Sequence, residues 1–300
     1  MTQTKRDIQA ALASVGARPL KRLGQNFLID GNLMHKLVAA AEVRRDDVVL
    51  EVGAGTGGLT DLLAAAARHV VAVELDRALA GFLEQRYVGR SNVTLLHGDA
   101  LERKSEVAPR IIDALKLQIE DARGSLLLVA NLPYNIATPL VMDLLIGELP
   151  FRRFCFTVQA EVGDRITASA GGKVYGPISV ITQALSRCSR IARIPAQAFW
   201  PAPKIESVML RLDVREEDHL EDDVRTKLVE MVRGCFGHRR KTMKRNLRTL
   251  LDEETMRCIE DDDRWKLRER PERWSVDQWQ DLAERLVALG KEREAKSQGA

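Results

Sequence analysis

A glycine-rich turn between a strand and a helix constrains this chain more than any other feature. The turn is Glu51-Val52-Gly53-Ala54-Gly55-Thr56-Gly57-Gly58, which follows the β-rich run Val48 to Val52 and precedes the helical pattern Leu59 to Ala67. Glycine lets the backbone turn tightly and approach a ligand without a Cβ atom in the way. The turn therefore predicts a cofactor cradle at the end of a strand in an α/β sheet.

Short strands and helices continue to alternate after this turn. Strands at Val70 to Glu74 and Val93 to His97 flank the helical stretch Leu79 to Tyr87, and a charged segment from Leu101 to Ala122, which we predict to be helical, leads to the strand Ser125 to Ala130. This alternation predicts βαβ units and a parallel sheet with helices on both faces, a Rossmann-like α/β fold.

The character of the sequence changes near residue 213. Further elements predicted before that point are a helix at Thr138 to Leu145 and strands at Arg153 to Gln159, Ile191 to Ile194 and Ser207 to Leu212. The acidic run Glu216 to Asp223 follows, and then short helices with charged faces. We therefore predict a catalytic domain over residues 1–213 and a small all-α domain over residues 214–300, whose tail from Lys291 to Ala300 is expected to be mobile.

Composition narrows the class of protein. With 45% hydrophobic and 30% charged residues in 300, the chain has the profile of an ordinary soluble globular protein. Its longest apolar runs fall far short of the roughly 20 residues that cross a bilayer, and its start does not resemble a signal peptide. The cysteines are widely spaced without a CxxC pair, which predicts reduced thiols and no metal site. We expect a cytoplasmic monomer with no membrane partner.

The turn alone leaves its ligand open. A purely structural use in close packing is the simplest alternative. Gly53, Gly55 and Gly58 also satisfy GxGxxG, and Glu74 lies about 20 residues on, as in folds that bind a dinucleotide. Glu51, however, precedes the first glycine, as in the methyltransferase pattern in which this acid faces the ammonium end of the methionine.

Two carboxylates close the next two strands. Glu74 can accept hydrogen bonds from both ribose hydroxyls of an adenosine, and its structural alternative is a charge at a helix N-terminus. Asp99 is placed to accept a hydrogen bond from the adenine amino group of a cofactor, and its alternative is an N-cap for the next helix. Together they indicate a cofactor that contains adenosine.

The most informative string for chemistry is Asn131-Leu132-Pro133-Tyr134, at the end of a predicted strand. The exocyclic nitrogen of adenine is a poor nucleophile because its lone pair is delocalised into the ring. An Asn oxygen and a carbonyl fixed by proline can hold that amine against a methyl donor, while a Tyr face can stack on a flipped base. The string therefore predicts methylation of an adenine amine.

Several motifs, in order, resemble the ribosomal RNA adenine dimethyltransferases of the KsgA or RsmA family, from about residue 18 to about residue 285. The motifs are Gly24-Gln25-Asn26-Phe27-Leu28, Glu51 to Gly58, Val73-Glu74-Leu75-Asp76, Gly98-Asp99-Ala100, Asn131-Leu132-Pro133-Tyr134-Asn135, Val158-Gln159-Ala160-Glu161-Val162, Tyr175-Gly176 and Phe199-Trp200-Pro201-Ala202-Pro203-Lys204. One departure is Ala160, where the family usually has Lys. That difference bears on a phosphate or subunit contact and leaves the chemistry intact.

The resemblance implies a site and a reaction. The S-adenosylmethionine site would be formed by Asn26, Leu28, Gly53, Glu74, Asp99 and Asn131. Asn131 would also orient the target amine, with Pro133 in the same motif, and Tyr134 and Phe199 would sandwich the target adenine. The implied reaction is transfer of two methyl groups to each of two adjacent adenines near the 3′ end of small-subunit ribosomal RNA, on a partly assembled subunit. For Phe199, and more so for Trp200, the alternative is a loop anchor against the core.

A basic run lies in the predicted all-α domain. Between Arg233 and Arg248 there is no Asp or Glu, although the net charge of the chain is only +3. The run predicts a surface for RNA phosphates, and the alternative is a solvated helix face. The predicted RNA-binding residues are Arg239, Arg240, Lys241, Lys244 and Arg245.

Three other functions stay open at this point. An assembly factor that binds the small subunit without turnover would keep the fold but not need the intact catalytic string. A nicotinamide dehydrogenase would use the GxGxxG match. A methyltransferase that acts on large-subunit RNA would share the chemistry.

Overall fold

A computed structural model gives the architecture of the chain and describes residues 3–120, 122–215 and 220–298. By its contacts the chain divides into two compact units, Met1–Gly163 with Cys188–Val214, and Asp164–Arg187 with Arg215–Ala300. The second unit thus takes in a segment that precedes the predicted boundary near residue 213, and Glu216 to His219, in the acidic run, lie outside the described residues. The division into a catalytic and an RNA-binding domain stays a prediction.

The first unit is built on a seven-stranded sheet. Its strands are β2 (Val48–Val52), β3 (His69–Glu74), β4 (Val93–His97), β7 (Leu126–Asn131), β8 (Phe151–Gln159), β9 (Ser186–Ile194) and β11 (Ser207–Val214), in the order β4-β3-β2-β7-β8-β11-β9. The strands from β4 to β8 in that order run parallel, and β11 is antiparallel to β8. The order reverses between β2 and β7, the place where open α/β sheets bind ligands.

Helices and short strands complete this unit. They are α1 (Lys5–Ser14), β1 (Phe27–Leu28), α2 (Gly31–Ala41), α3 (Gly58–Ala66), α4 (Arg77–Arg86), β5 (Leu101–Arg103), β6 (Glu106–Val107), α5 (Pro109–Ile119), α6 (Ala137–Ile146), α7 (Ala160–Ile166), which continues into the second unit, and β10 (Phe199–Trp200). Strand residues that point to opposite faces of the sheet, such as Val49 and Leu50, are equally buried, so both faces are covered. The predicted Rossmann-like α/β fold is confirmed.

The segment from residue 101 to residue 122 differs from the prediction of one long helix. It begins with the antiparallel pair β5 and β6, and α5 starts only at Pro109. Proline favours the first turn of a helix because it has no N–H to donate, so the helix begins there and not earlier. Asp121 lies outside the described residues.

The second unit is helical and packs around tryptophan. Its further helices are α8 (Pro177–Leu185), α9 (Asp222–Gly237), α10 (Met243–Leu247), α11 (Glu253–Glu260) and α12 (Val276–Gln298). The buried Trp274 ring lies 5.5 Å from Trp279 and 6.1 Å from Trp265, and Phe236 lies 5.8 Å from Trp279. Such aromatic pairs add to the stabilisation from burial alone.

Residues 291–298 are helical, within the stretch from Lys291 that the sequence predicts to be a mobile tail. Helix α12 runs through Gln298, and Gly299 and Ala300 lie outside the described residues. The mobility of this tail stays a prediction. Among the helices of the described ranges, none combines the length and the apolar character that a bilayer span requires.

Candidate active site

The glycine-rich turn is fastened to the end of the neighbouring strand β3. Gly53 and Gly55 have φ angles of 85° and 60°, a region that side chains with a Cβ atom rarely adopt. The N–H of Gly53 donates to the carbonyl of Val73 at 2.9 Å, and the N–H of Gly55 donates to a Glu74 carboxylate oxygen at 2.7 Å. The turn is thus tied to the residue predicted to hold the ribose.

Glu51 is buried beneath this turn. Its side chain is 1% exposed, and the Thr60 hydroxyl donates to one of its carboxyl oxygens at 2.6 Å. Burial raises the pKa of Glu51 to about 8, against the opposing hydrogen bond from Thr60. At neutral pH the carboxyl is therefore held mostly in its uncharged form, and a cation placed beside it would favour ionisation.

Glu74 is also buried, and both of its oxygens accept backbone hydrogen bonds. One takes the N–H of Gly55 and the other the N–H of Asp76, at 2.8 Å. Burial raises the pKa of Glu74, while these donors oppose the rise. The structural alternative stated for Glu74 was a charge at a helix N-terminus. Asp76, and not Glu74, has that position, because Asp76 is the N-cap of α4. Glu74 remains available for a ligand through its second lone pairs.

Asp99 is exposed at the end of β4 and precedes a strand. Its carboxylate accepts a hydrogen bond from the N–H of Leu101 at 3.0 Å, and its carbonyl accepts one from the Arg110 guanidinium. Because the next element is β5, Asp99 does not cap a helix, which removes the structural alternative stated for it.

Asn131 ends β7 with both ends of its side-chain amide in hydrogen bonds. Its Nδ2 donates to the carbonyl of Asn26 at 2.9 Å, and its Oδ1 accepts from the Thr157 hydroxyl at 2.5 Å. Pro133 packs so closely on the turn that a Cβ atom on Gly53 would lie 3.1 Å from its ring. The Asn131 to Tyr134 segment therefore packs closely on the glycine-rich turn.

The Tyr134 ring is held by its hydroxyl, which lies 2.6 Å from the hydroxyl of the buried Ser207 on β11. Burial raises the pKa of Tyr134, so this hydroxyl stays neutral at physiological pH. Tyr134 as a whole residue is partly exposed, which is compatible with a stacking role.

A two-stranded ladder joins two motifs that are far apart in sequence. Strand β1 pairs with β10, so that Phe27 faces Trp200 and Leu28 faces Phe199. The ladder brings the Asn26 to Leu28 segment beside the segment that begins at Phe199. Leu28 is buried in the core of this unit.

The predicted stacking of Phe199 on the target adenine requires an exposed ring, and the structure does not show one. Phe199 is 2% exposed and packs in the core with Leu28, whereas Trp200 is partly exposed and lies 6.4 Å from the Phe27 ring. The reason is strand alternation, which sends residue 199 inward and residue 200 outward. In this conformation Phe199 cannot offer its face to a base, and its stacking role stays a prediction.

Two adjoining cavities occupy the carboxyl edge of the sheet. Their volumes are about 50 Å³ and 60 Å³, both are open to solvent, and they share Phe27, Gly53, Gly55 and Asn131 in their walls. Glu51 lines the first, and Glu74 and Tyr134 line the second. Residues predicted for the methionine end, the ribose and the target amine thus meet around one crevice.

Sequence reasoning did not find the contribution of the N-terminal segment. Gln3 donates to the carbonyl of Thr56 at 2.9 Å, and it lines the first cavity with the buried Ile8 of α1. A signal was present, since Thr4 and Asp7 form a capping box directly before an apolar position. Thr157 and Ser207, which anchor the predicted site residues, gave no sequence signal because each stands alone in a strand.

The predicted RNA-binding residues lie in the second unit and fall into two groups. Lys244 pairs with Glu260 at 2.9 Å, and Arg239 lies 3.7 Å from Glu272. Arg240, Lys241 and Arg245 form no ion pair with any residue of the ranges that the structure describes. These three are the stronger candidates for phosphate contact, because their charge is not compensated within the described part of this unit.

A family model and several known proteins match this chain over most of its length. A family model described as "Ribosomal RNA adenine dimethylase" matches residues 17–287. A protein named "Ribosomal RNA small subunit methyltransferase A" from Moorella thermoacetica is 38% identical over 78% of this chain and 80% of its own length. One of the same name from Parasynechococcus marenigrum is 35% identical over 92% of this chain and 89% of its own.

Two solved structures share the fold. A dimethyladenosine transferase from Plasmodium falciparum superposes with a TM-score of 0.67 at 22% identity, over 84% of this chain and 94% of that one. The 23S rRNA methyltransferase ErmE gives a TM-score of 0.63 at 25% identity, over 87% of this chain and all of that one. At 22% identity the first likeness bears on the fold alone.

Proposed function

The chain belongs to the ribosomal RNA adenine dimethylase family, and we propose from that premise that it dimethylates the N6 amines of two adjacent adenines in the 3′-terminal hairpin of small-subunit (16S) ribosomal RNA. The observation that carries the proposal is the Asn131 amide, held at both ends at the carboxyl edge of the sheet and lining both cavities. Membership of this family implies S-adenosylmethionine as the methyl donor.

The residues at the crevice fit such a cofactor. A Cβ atom on Gly55 would lie 3.0 Å from the Phe27 ring. Position 55 must therefore be glycine if the turn is to pack against that ring without a clash. Glu51 lines one cavity and Glu74 the other, which suits a ligand with an ammonium group at one end and a ribose at the other. When bound, S-adenosylmethionine supplies an electrophilic methyl group on a sulfonium centre. Asn26, Leu28 and Asp99 complete the proposed cofactor set.

The chain's own residues would prepare the amine for transfer. Asn131 Oδ1 would accept a hydrogen bond from one N–H of the adenine amine. This hydrogen bond would orient the lone pair of the nitrogen toward the methyl donor. The carbonyl before Pro133, fixed by the proline ring, holds the second N–H. Tyr134 stacks on the flipped adenine, with its hydroxyl anchored on Ser207. No strong base is required, because the protonated amine formed on transfer is a strong acid and releases its proton to water.

The partner in this proposal is the immature small ribosomal subunit. Arg240, Lys241 and Arg245 would contact its RNA backbone, with Arg239 and Lys244 exchanging their carboxylate partners for phosphates. A monomer that works in the cytoplasm, where ribosomes assemble, is part of the proposal.

Methyl transfer to isolated subunits tests the proposal directly. Undermethylated small subunits and, separately, large subunits are incubated with labelled S-adenosylmethionine and either the wild-type enzyme or Asn131→Ala. We expect label in small-subunit RNA alone, recovered as N6,N6-dimethyladenosine, and none with the variant. Label in large-subunit RNA would instead favour the relation to the 23S enzyme, and binding to small subunits without transfer would favour an assembly factor.

Cofactor identity has a separate measurement. S-adenosylhomocysteine should raise the melting temperature of the protein, and NAD should leave it unchanged. Stabilisation by NAD would instead favour the hypothesis that the protein is a nicotinamide dehydrogenase.

A further inference from the structure

We propose that Thr157 is a positioning residue that fixes the Asn131 amide during methyl transfer, and that the second methyl group depends on it more than the first. The inference rests on the proposed function, because it assigns a task to the side chain that supports Asn131.

Thr157 and Asn131 are direct partners in the parallel ladder between β8 and β7. The Thr157 side chain is fully buried, and its Oγ1 lies 2.5 Å from Asn131 Oδ1. On the other side of the amide, Nδ2 lies 2.9 Å from the carbonyl oxygen of Asn26. A backbone carbonyl can only accept, so it determines that Nδ2 faces Asn26 and that Oδ1 faces Thr157, whose hydroxyl must then donate.

The hydroxyl has no evident packing purpose in its strand. The neighbouring Phe156 and Val158 are apolar and buried, and the backbone of β8 is paired with β7 on one side and with β11 on the other. A buried hydroxyl costs free energy unless it is hydrogen-bonded, and valine would fill the same volume without that cost. The contact that the structure gives this hydroxyl is Asn131 Oδ1, so its effect is to orient the amide.

The two transfers place unequal demands on that orientation. In each, the N6–CH₃ bond forms as the S–CH₃ bond breaks, the electron pair of the broken bond stays on sulfur, and one N6 proton leaves to water. Before the first transfer the amine has two N–H groups, one for Asn131 Oδ1 and one for the carbonyl before Pro133. Before the second it has one. A loosened acceptor therefore costs more in the second step, where no other N–H holds the nitrogen in place.

The experiment compares Thr157→Val, which keeps the volume and removes the donor, with Thr157→Ser, which keeps the donor. Each full-length enzyme is incubated with undermethylated small subunits and labelled S-adenosylmethionine under single-turnover conditions, and N6-methyladenosine and N6,N6-dimethyladenosine are quantified over time. We expect the valine variant to slow the second transfer relative to the first by about 3- to 10-fold, the range for one neutral hydrogen bond, so that monomethyladenosine accumulates. The serine variant should resemble the wild type, and both should bind S-adenosylhomocysteine within about twofold of it, as expected when no contact to the cofactor changes.

Several results would overturn the assignment. Equal slowing of both transfers by valine would refute the greater dependence of the second transfer, and the same product ratio and rates from valine and serine would mean that Thr157 serves packing only. A faster second transfer in the valine variant would mean that Thr157 competes with the target amine. If the valine variant does not fold, Thr157→Cys, with its weaker donor, replaces it in the same comparison with serine. Failure of the proposed function is separate, since it requires that the wild type form no dimethyladenosine.

Discussion

The buried carboxyl of Glu51 makes the stability of the protein depend on pH in a way that one substitution should remove. Glu51 is 1% exposed, and burial raises its pKa from an ordinary value of 4.5 to about 8. Glu51→Gln keeps the shape of the side chain and the acceptor for the Thr60 hydroxyl, but it cannot ionise. The difference in free energy of unfolding between the two proteins isolates the titration of this group.

The sign follows from the protons bound in each state. Between pH 4.5 and pH 8 the unfolded chain has lost the Glu51 proton, whereas the folded protein still holds it. The folded state therefore binds more protons, and the stability of the wild type falls as pH rises through this window. At about 1.4 kcal/mol per pH unit, the loss is roughly 2 to 3 kcal/mol between pH 5 and pH 7 and about 4 kcal/mol by pH 9, as an upper bound.

Urea unfolding of both proteins at five pH values from 5 to 9 measures this difference. We expect the glutamine variant to gain stability on the wild type as pH rises, with the gain levelling off above pH 8. A constant offset from repacking of the amide does not matter, because the readout is the slope. A difference that stays flat from pH 5 to pH 9 would refute the reasoning. Thr60→Val removes a hydrogen bond that lowers the pKa of Glu51, so it should extend the upper end of the window to higher pH.

Three further changes have definite expected outcomes. Gly53→Ala introduces a Cβ atom 3.1 Å from the Pro133 ring, at a residue with a φ of 85°. Because backbone strain and the clash act together, we expect the Kd for S-adenosylhomocysteine, measured by calorimetry, to rise by at least about tenfold. Asp47→Ala removes a buried acceptor of two backbone N–H groups, so thermal unfolding should show a loss of about 2 to 5 kcal/mol, while affinity for the same ligand in the still-folded protein stays within about twofold. Arg240→Ala combined with Arg245→Ala should lower the salt dependence of RNA binding, the slope of log K against log salt, by about 1 to 2, and an unchanged slope would place the phosphate contacts elsewhere.

The parts of the fold that the sequence predicts correctly are those with local signals. The glycine-rich turn, its flanking strand and helix, and the parallel order of β2 and β3 follow from residue types within a few positions of each other. The helix predicted from Leu101 to Ala122 was wrong at its start, because a short hairpin of charged residues carries no periodicity that separates it from a helix. Only Pro109 marked the true beginning of α5.

The geometry of the site was beyond sequence reasoning because it depends on pairing between distant segments. The Asn131 amide is bonded to residue 26 on one side and to residue 157 on the other, and neither contact has a local signature. The inward orientation of Phe199 likewise follows from its ladder with Leu28, about 170 residues earlier in the chain. Sequence motifs identify which residues take part, whereas strand pairing decides which way each side chain points.

Charge at the crevice explains why such a site would favour a cationic ligand over a neutral one. Glu51 and Glu74 are both buried, and the charge of Glu74 further raises the pKa of Glu51. Without a cation, ionising the pair is opposed by burial and by mutual repulsion. An ammonium group beside Glu51 would reverse that balance, so binding of a cationic ligand should release a proton near pH 7.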